Sequence, residues 1–265
     1  MDKLPPAIRP NWSKHKLLAG EPVFCPVPVT DLASLENLAA LSLLDLAMLD
    51  MEHGPWAWRD ISDFSRLCDL WRISSMVRVA ANDEVLIGKA LDLGAQSILV
   101  PHVLSADDAA RAVRAARYAP AGTRGMGGPR QGLGVADYWK SADREVMVGV
   151  LIEDVEALSQ LELIAAVPGV DFVFLAPFDL ASSLGHVGEP FSPDVQGEVR
   201  TAIKKLSSMG KSCGTFVTDD CVEEYLSLGA RLLFFSPAVY LYKGISQFRN
   251  VVSRALDGFT QPSGV

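Results

Sequence analysis

Apolar residues in this chain come in short unbroken runs separated by stretches of helical spacing. Two runs stand out, 146–152 and 172–176, the first followed directly by Glu153 and the second, after Pro177 and Phe178, by Asp179. Between them Val155, Leu158, Leu161, Ile164, Ala165 and Val167 recur at the period of one helix, and Pro168-Gly169 closes the segment with turn chemistry. The pattern predicts a strand, a helix and a second strand, with both carboxylates at one edge of a parallel sheet. The same rhythm covers the rest of the chain. Strands are expected at 22–29, 46–50, 75–79, 97–103, 212–217 and 231–236. Helices are expected at 32–41, 58–71, 83–93, 106–118, 193–209, 219–228 and 240–256, three of them stopped by Gly94, Gly210 and Gly229. The last carries Ile245, Phe248, Val252 and Leu256 on one face.

Eight strand-helix units in 265 residues predict an α/β chain closed into a single-domain (β/α)8 TIM barrel. An open doubly wound sheet is the alternative. The barrel is expected over 21–257, preceded by an N-terminal extension with a short helix (1–20, the helix at 13–18) and followed by a tail (258–265). Residues 119–144 break the rhythm and are too long for an ordinary helix-to-strand link. They include PAGTRGMGGPRQGLG, but no GxxxxGK[ST] and no strand leading into it, so a long mobile loop that covers a site or reaches a neighbouring subunit is expected over a phosphate loop.

Composition narrows the function classes. A net charge of -8 and a pI near 5.0 exclude a phosphate backbone as partner, because nucleic-acid binding rests on Lys and Arg displacing counterions. No apolar run approaches the roughly 20 residues of a membrane span, and the start lacks a signal-peptide core, so no membrane and a cytoplasmic address are expected. Cys25, Cys68, Cys213 and Cys221 are scattered without a CxxC pair, which predicts reduced thiols and no thiolate zinc.

Barrels of this kind place chemistry at the C-terminal strand ends. Those ends offer Asp50, Glu52 and His53, then Arg78, His102, Glu153 and Asp179. Glu153 and Asp179 each suit a helix start, where free N–H groups favour a carboxylate. On successive strands they also suit a hard cation such as Mg2+ or Mn2+, which takes one or two protein carboxylates and fills its other positions with water and substrate oxygens. His53 is placed to move a proton near neutrality, or is a hydrogen-bonded turn residue. Arg78 follows apolar strand residues, where a guanidinium must be paired; its fork suits carboxylate or enolate oxygens, or an ion pair with Asp50 or Glu52. Asp50, Glu52 and His102 are expected to support these groups.

Several segments carry a resemblance. Asp50-Met-Glu-His53, Met-Val-Arg78, Ala-Leu-Asp92-Leu-Gly-Ala-Gln-Ser-Ile-Leu-Val-Pro101, Pro120-Ala-Gly-Thr-Arg-Gly, Ile152-Glu153 and Val-Pro-Gly-Val-Asp-Phe-Val-Phe-Leu-Ala-Pro177-Phe-Asp179-Leu resemble the HpcH/HpaI aldolase family, the metal-dependent class II pyruvate aldolases. The resemblance runs in order from about Lys16 to the last helix. It implies a (β/α)8 barrel whose final helix is exchanged between protomers of a homo-oligomer, a hexamer or trimer of dimers. It implies a carbon-carbon lyase acting on a 2-oxo acid and an aldehyde, with a divalent metal (Mg2+ or Mn2+, with Co2+ as a further option) on Glu153 and Asp179. By the same resemblance Arg78 stabilises an enolate, His53 is the base, and Asp92 raises the basicity of that histidine from an adjacent subunit. Two places depart from the family pattern at positions expected to face substrate. Leu151 stands where Gln is usual, and Ala176-Pro177-Phe178-Asp179 where Gly-Pro-Ala-Asp is usual. They motivate two further readings, a citrate- or malyl-type lyase using an acyl thioester or an oxaloacetate-like acid, and a barrel that binds an oxo acid without turning it over.

Overall fold

The structure, a computed structural model, describes residues 7–259; residues 1–6 of the expected extension and 260–265 of the expected tail lie outside it. Described residues up to Phe235 form one compact unit and those from Ser236 a second. In the first unit the strands are β1 (Val23–Pro26), β2 (Leu46–Asp50), β3 (Ser74–Arg78), β4 (Ser97–Val100), β5 (Met147–Ile152), β6 (Phe172–Leu175), β7 (Ser212–Phe216) and β8 (Leu232–Phe235). All pair in parallel in the order β1-β8-β7-β6-β5-β4-β3-β2. The seam between β1 and β2 is bridged by Asp45. Its N–H donates to the Phe24 carbonyl (3.2 Å) and its carboxylate accepts the Phe24 N–H (2.9 Å). The expected TIM barrel is the fold.

The helices of this unit are α1 (Trp12–Leu18), α2 (Leu32–Ala39), α3 (Asp60–Trp71), α4 (Glu84–Leu93), α5 (Ala106–Ala116), α6 (Tyr138–Glu145), α7 (Val155–Ser159), α8 (Leu161–Ala165), α9 (Pro177–Ser183), α10 (Pro193–Ser208) and α11 (Val222–Leu228). Their starts follow from local chemistry. Asp31, Asp83, Ser105 and Asp154 each accept a backbone N–H of the following turn, as N-caps do. Gly94 and Gly229 close α4 and α11 at φ of +120° and +109°, which a side chain would resist.

Strand residues alternate between two cores. One set, including Val77, Ile98, Val148, Val150, Val173 and Leu175, packs outward under the helices. The other, including Met48, Met76, Leu99, Leu151, Phe172, Phe174, Leu232 and Phe234, fills the barrel interior. Each fully buried large side chain contributes about 1.5–3 kcal/mol. Gly149 leaves room for this packing, since a Cβ there would fall within the Phe172 ring. Helix α1 closes the N-terminal end of the barrel. Leu17 joins the interior cluster, Asn11 Nδ2 donates to Ser97 Oγ (2.9 Å) and Lys14 Nζ donates to the Val146 carbonyl (2.7 Å).

Two local expectations are corrected, and one unassigned segment is filled. The single helix expected between β5 and β6 is two, because the Gln160 N–H turns back to the Ala157 carbonyl in a tight three-residue step. Residues 177–183, for which no element was expected beyond the suitability of Asp179 for a helix start, form α9, with Pro177 at its first position, where a missing N–H costs nothing. The segment 119–144 is anchored instead of being a bare loop. Arg130 donates to Ser65 Oγ and Asp69, Gln131 donates to the Gly94 carbonyl (2.8 Å), and α6 ends the segment.

The second unit is α12 (Pro237–Phe259), longer at both ends than expected. It exposes Leu241, Tyr242, Ile245, Phe248 and Val251 among other apolar side chains. No described helix is long and apolar enough to cross a membrane.

Candidate active site

Asp50 and Arg78 are the last residues of β2 and β3 and stand opposite each other in the ladder. Arg78 Nε donates to Asp50 Oδ1 (2.8 Å) and Nη2 to Oδ2 (2.6 Å), a bidentate pair. Its third nitrogen, Nη1, lies 3.2 Å from Glu52 Oε2. Burial works against the charge on Arg78, but the hydrogen bond and charge of Asp50, then Glu52 and Glu153, outweigh it and hold the guanidinium protonated. Burial likewise works against the Asp50 charge; Arg78 and the N–H groups of His53 and Glu52 outweigh it and hold the carboxyl below its usual value. The ion pair with Asp50 and Glu52, one of the two alternatives for Arg78, is present, and it fixes a cation at the rim of the barrel.

Glu153 follows β5 and is 6% exposed. Burial pushes its pKa up; the backbone N–H and imidazole of His102 pull it down, and the charges of Glu52 and Asp179 push it up again, leaving it above the ordinary value. His102 is the bridge between strands. Its N–H donates to Glu153 Oε1 (2.7 Å), its Nδ1 lies 3.2 Å from the same oxygen, and its Nε2 lies 3.1 Å from Glu52 Oε1. To do so it adopts a left-handed φ of +54°, costly for a residue other than glycine and offset here by these contacts.

Glu52, His53, His102, Glu153 and Asp179 line one cavity of about 390 Å³, with Leu104, Asp154, Ser182 and Ser183 completing it. Asp179 lies in the first turn of α9, so its place as a helix starter and its place at the cavity are one. Ser182 and Ser183 follow it by three and four residues, the helical spacing that shares a face, and this is the signal by which the sequence could have nominated them. The His53 imidazole is well exposed, with Nε2 4.0 Å from Glu52 Oε2. Leu151 precedes Glu153 by two on the inward face of β5 and is 2% exposed, part of the apolar floor. Phe178 lies beside Asp179 on α9 with its ring against Phe216.

Of the expected site residues, Asp50, Arg78, Leu151 and Phe178 do not line this cavity themselves, and Asp92 belongs to a different one. Asp92 lines that separate pocket with Lys89, Arg124, Met126 and Gly127. Arg124 Nη2 donates to its Oδ1 (2.8 Å), and Gly127 packs so closely that a Cβ would lie 2.7 Å from its Oδ2.

The donor set bears on metal binding. Among the described residues no group of three or more His, Cys, Asp or Glu forms a metal cage. Glu153 and Asp179 instead supply oxygens from two carboxylates with a third, Glu52, beside them; the repulsion that Glu52 and Asp179 exert on the buried Glu153 is the kind a hard divalent cation relieves. The residues fit such an ion.

The sequence model of the HpcH/HpaI aldolase/citrate lyase family matches residues 25–232. A hydroxypyruvate/pyruvate aldolase of Roseobacter denitrificans is 37% identical over 229 residues, 84% of this chain and 89% of the relative. A 4-hydroxy-2-oxovalerate aldolase of Rhodococcus jostii is 41% identical over 190 residues, 70% of this chain and 74% of the relative. Among solved structures, an HpcH/HpaI aldolase/citrate lyase family protein of Burkholderia cenocepacia superposes with a TM-score of 0.84 at 32% identity, covering 92% of this chain and 99% of the other. With a parallel barrel that carries its charged residues at the C-terminal rim and matches of this extent, the chain belongs to the HpcH/HpaI aldolase/citrate lyase family and is a carbon-carbon lyase of the aldolase type.

Proposed function

We propose that the enzyme forms and cleaves 4-hydroxy-2-oxo acids, joining the methyl carbon of pyruvate, as its enolate, to the carbonyl carbon of an aldehyde. The observation that carries this reading is the cluster of Glu52, Glu153 and Asp179 around one cavity, beside a guanidinium fixed at the same rim. Glu153 and Asp179 would hold Mg2+ or Mn2+, with Co2+ as a further option. When bound, such an ion supplies Lewis acidity toward the oxygens of the 2-oxo acid. Arg78, held rigid by Asp50, stabilises the negative charge that develops on the 2-oxo oxygen. In cleavage His53 takes the proton of the 4-hydroxyl, the bond between C3 and C4 breaks, the aldehyde leaves, and C3 takes a proton to give pyruvate. Synthesis runs the same transfers in reverse.

The test uses purified protein with Mg2+ or Mn2+. Pyruvate methyl protons are expected to exchange with solvent deuterium, and at least one 4-hydroxy-2-oxo acid is expected to be cleaved. Neither exchange nor cleavage would sink the reading. Turnover of a coenzyme A thioester without pyruvate exchange would favour the citrate- or malyl-type lyase.

Asp92 lies in a different cavity of its own chain from His53, which supports its acting on the histidine of a second copy, in a hexamer or trimer of dimers. The exposed apolar residues of α12 support exchange of that helix within the oligomer. Phe248→Glu is then expected to shift the protein to smaller species in sedimentation velocity and to lower turnover about ten- to a hundredfold. An unchanged sedimentation profile would remove α12 from the assembly.

Leu151→Gln tests the floor beneath Glu153. A buried amide among Phe174, Met48 and Phe234 has no evident partner, so unfolding stability is expected to fall by about 1–3 kcal/mol. Part of that loss is expected to return when pyruvate and Mg2+ are added, because the amide then meets a substrate oxygen. Equal loss with and without ligand would place Leu151 away from the 2-oxo acid.

A further inference from the structure

The inward positions at the C-terminal ends of the strands divide into two halves. β2, β3 and β5 lead to Asp50, Arg78 and Glu153, with His53 and His102 on the loops beyond. β6, β7 and β8 lead to Ala176, Phe216 and Phe234, which belong to or pack against the apolar interior. Over this second half stands Phe178. Its ring meets Phe216 edge-on at 5.5 Å and 88°, and Phe191 edge-on at 6.0 Å and 80°. Such T-shaped contacts fix the rings relative to one another. Yet Phe178 is 52% exposed and Phe191 48%.

A fixed set of aromatic rings, half open to solvent and joined by one peptide bond to a carboxylate that lines the charged cavity, is a surface whose rings carry no polar group of their own. A hydroxyl or carboxylate laid against it would lose water and gain no hydrogen bond. An aliphatic or aromatic group would bury its own surface and that of the rings together.

The geometry points to Phe178, backed by Phe191 and Phe216, as the acceptor wall of this lyase, selecting aldehydes with an apolar substituent over hydroxylated or anionic ones. This rests on the lyase reading above and names its acceptor class. The charged half takes the 2-oxo acid; the aromatic half takes the substituent of the aldehyde.

The test measures kcat/KM for aldol addition of pyruvate to propanal, butanal, pentanal, hexanal and benzaldehyde, against glyceraldehyde and succinic semialdehyde, with Mg2+ or Mn2+ present. In the wild type kcat/KM is expected to rise about fourfold per added methylene, the factor that burying one such group gives. Phe178→Ala is expected to flatten that rise toward unity, and Phe191→Ala to reduce it by a smaller factor. Should Phe178→Ala fail to fold, Phe191→Ala and the wild-type series carry the test. A flat wild-type series, a preference for glyceraldehyde or succinic semialdehyde, or an undiminished rise in folded Phe178→Ala overturns the wall. So does a Phe191→Ala variant that changes oligomeric state and leaves the series intact, which would make the rings a subunit surface. Deuterium exchange into pyruvate without any aldehyde separates the two failures. Exchange with a flat series overturns the wall alone, whereas no exchange and no turnover overturns the lyase reading with it.

Discussion

Glu153→Gln is expected to cost the enzyme its divalent cation and its turnover while leaving the fold as stable or more so. The substitution keeps the shape and an oxygen that can accept the His102 N–H, now 2.7 Å from Oε1. It removes the negative charge that burial, Glu52 and Asp179 all work against. Titration calorimetry with Mn2+ on the protein alone is expected to show affinity weakened by at least about a hundredfold, since removing even an outer partner of a metal ligand costs 10–100-fold. Turnover at millimolar metal is expected to fall by about a thousandfold or more. The melting temperature in chelator is expected to rise by about 2–4 °C, equivalent to ~1 kcal/mol for a chain of this size. Sites tuned for function commonly store such a cost in the unliganded protein. Asp179→Asn should show the same loss of affinity. Wild-type affinity for Mn2+ in both variants would remove these carboxylates from the metal site.

The parts of this site that were legible in the sequence are those fixed by strand ends. β5 and β6 are buried on both faces, so they read as unbroken apolar runs, and whatever polar residue follows such a run in a barrel stands at the rim. That logic reaches Asp50, Glu52, Arg78, Glu153 and Asp179 without any knowledge of side-chain geometry. It undervalues His102, whose bridging of Glu52 and Glu153 depends on a left-handed backbone that a histidine does not advertise. It also hides the anchoring of 119–144. Arg124, Arg130 and Gln131 are buried there through hydrogen bonds, so polar residues occupy positions where the apolar pattern would have marked a core. Asp92 shares that difficulty, because what orients it is Arg124, a residue of that same segment. The contacts of Phe178 with Phe191 and Phe216 join three separate elements of the chain, and no local period connects them.

Arg78→Ala is the substitution that separates the two roles the fork of Arg78 combines. It strips the partner from Asp50 and Glu52, whose side chains are 15% and 9% exposed, and breaking a buried pair this way costs about 3–5 kcal/mol. It also removes the group proposed to meet the developing oxyanion, so turnover of the folded fraction is expected to fall by about a thousandfold. Pairing it with Asp50→Asn returns a large part of the stability, because the orphaned charge is gone, and returns none of the turnover. Arg78→Lys keeps a charge and loses the fork, so chemical denaturation is expected to show partial recovery while kcat stays at least about a hundredfold down. Should the Arg78→Ala, Asp50→Asn protein fold well and turn over within tenfold of wild type, Arg78 would be a structural ion pair alone. The enolate would then need another hydrogen-bond donor at the rim, and His102, already within 3.2 Å of two carboxylates, is the residue to test next.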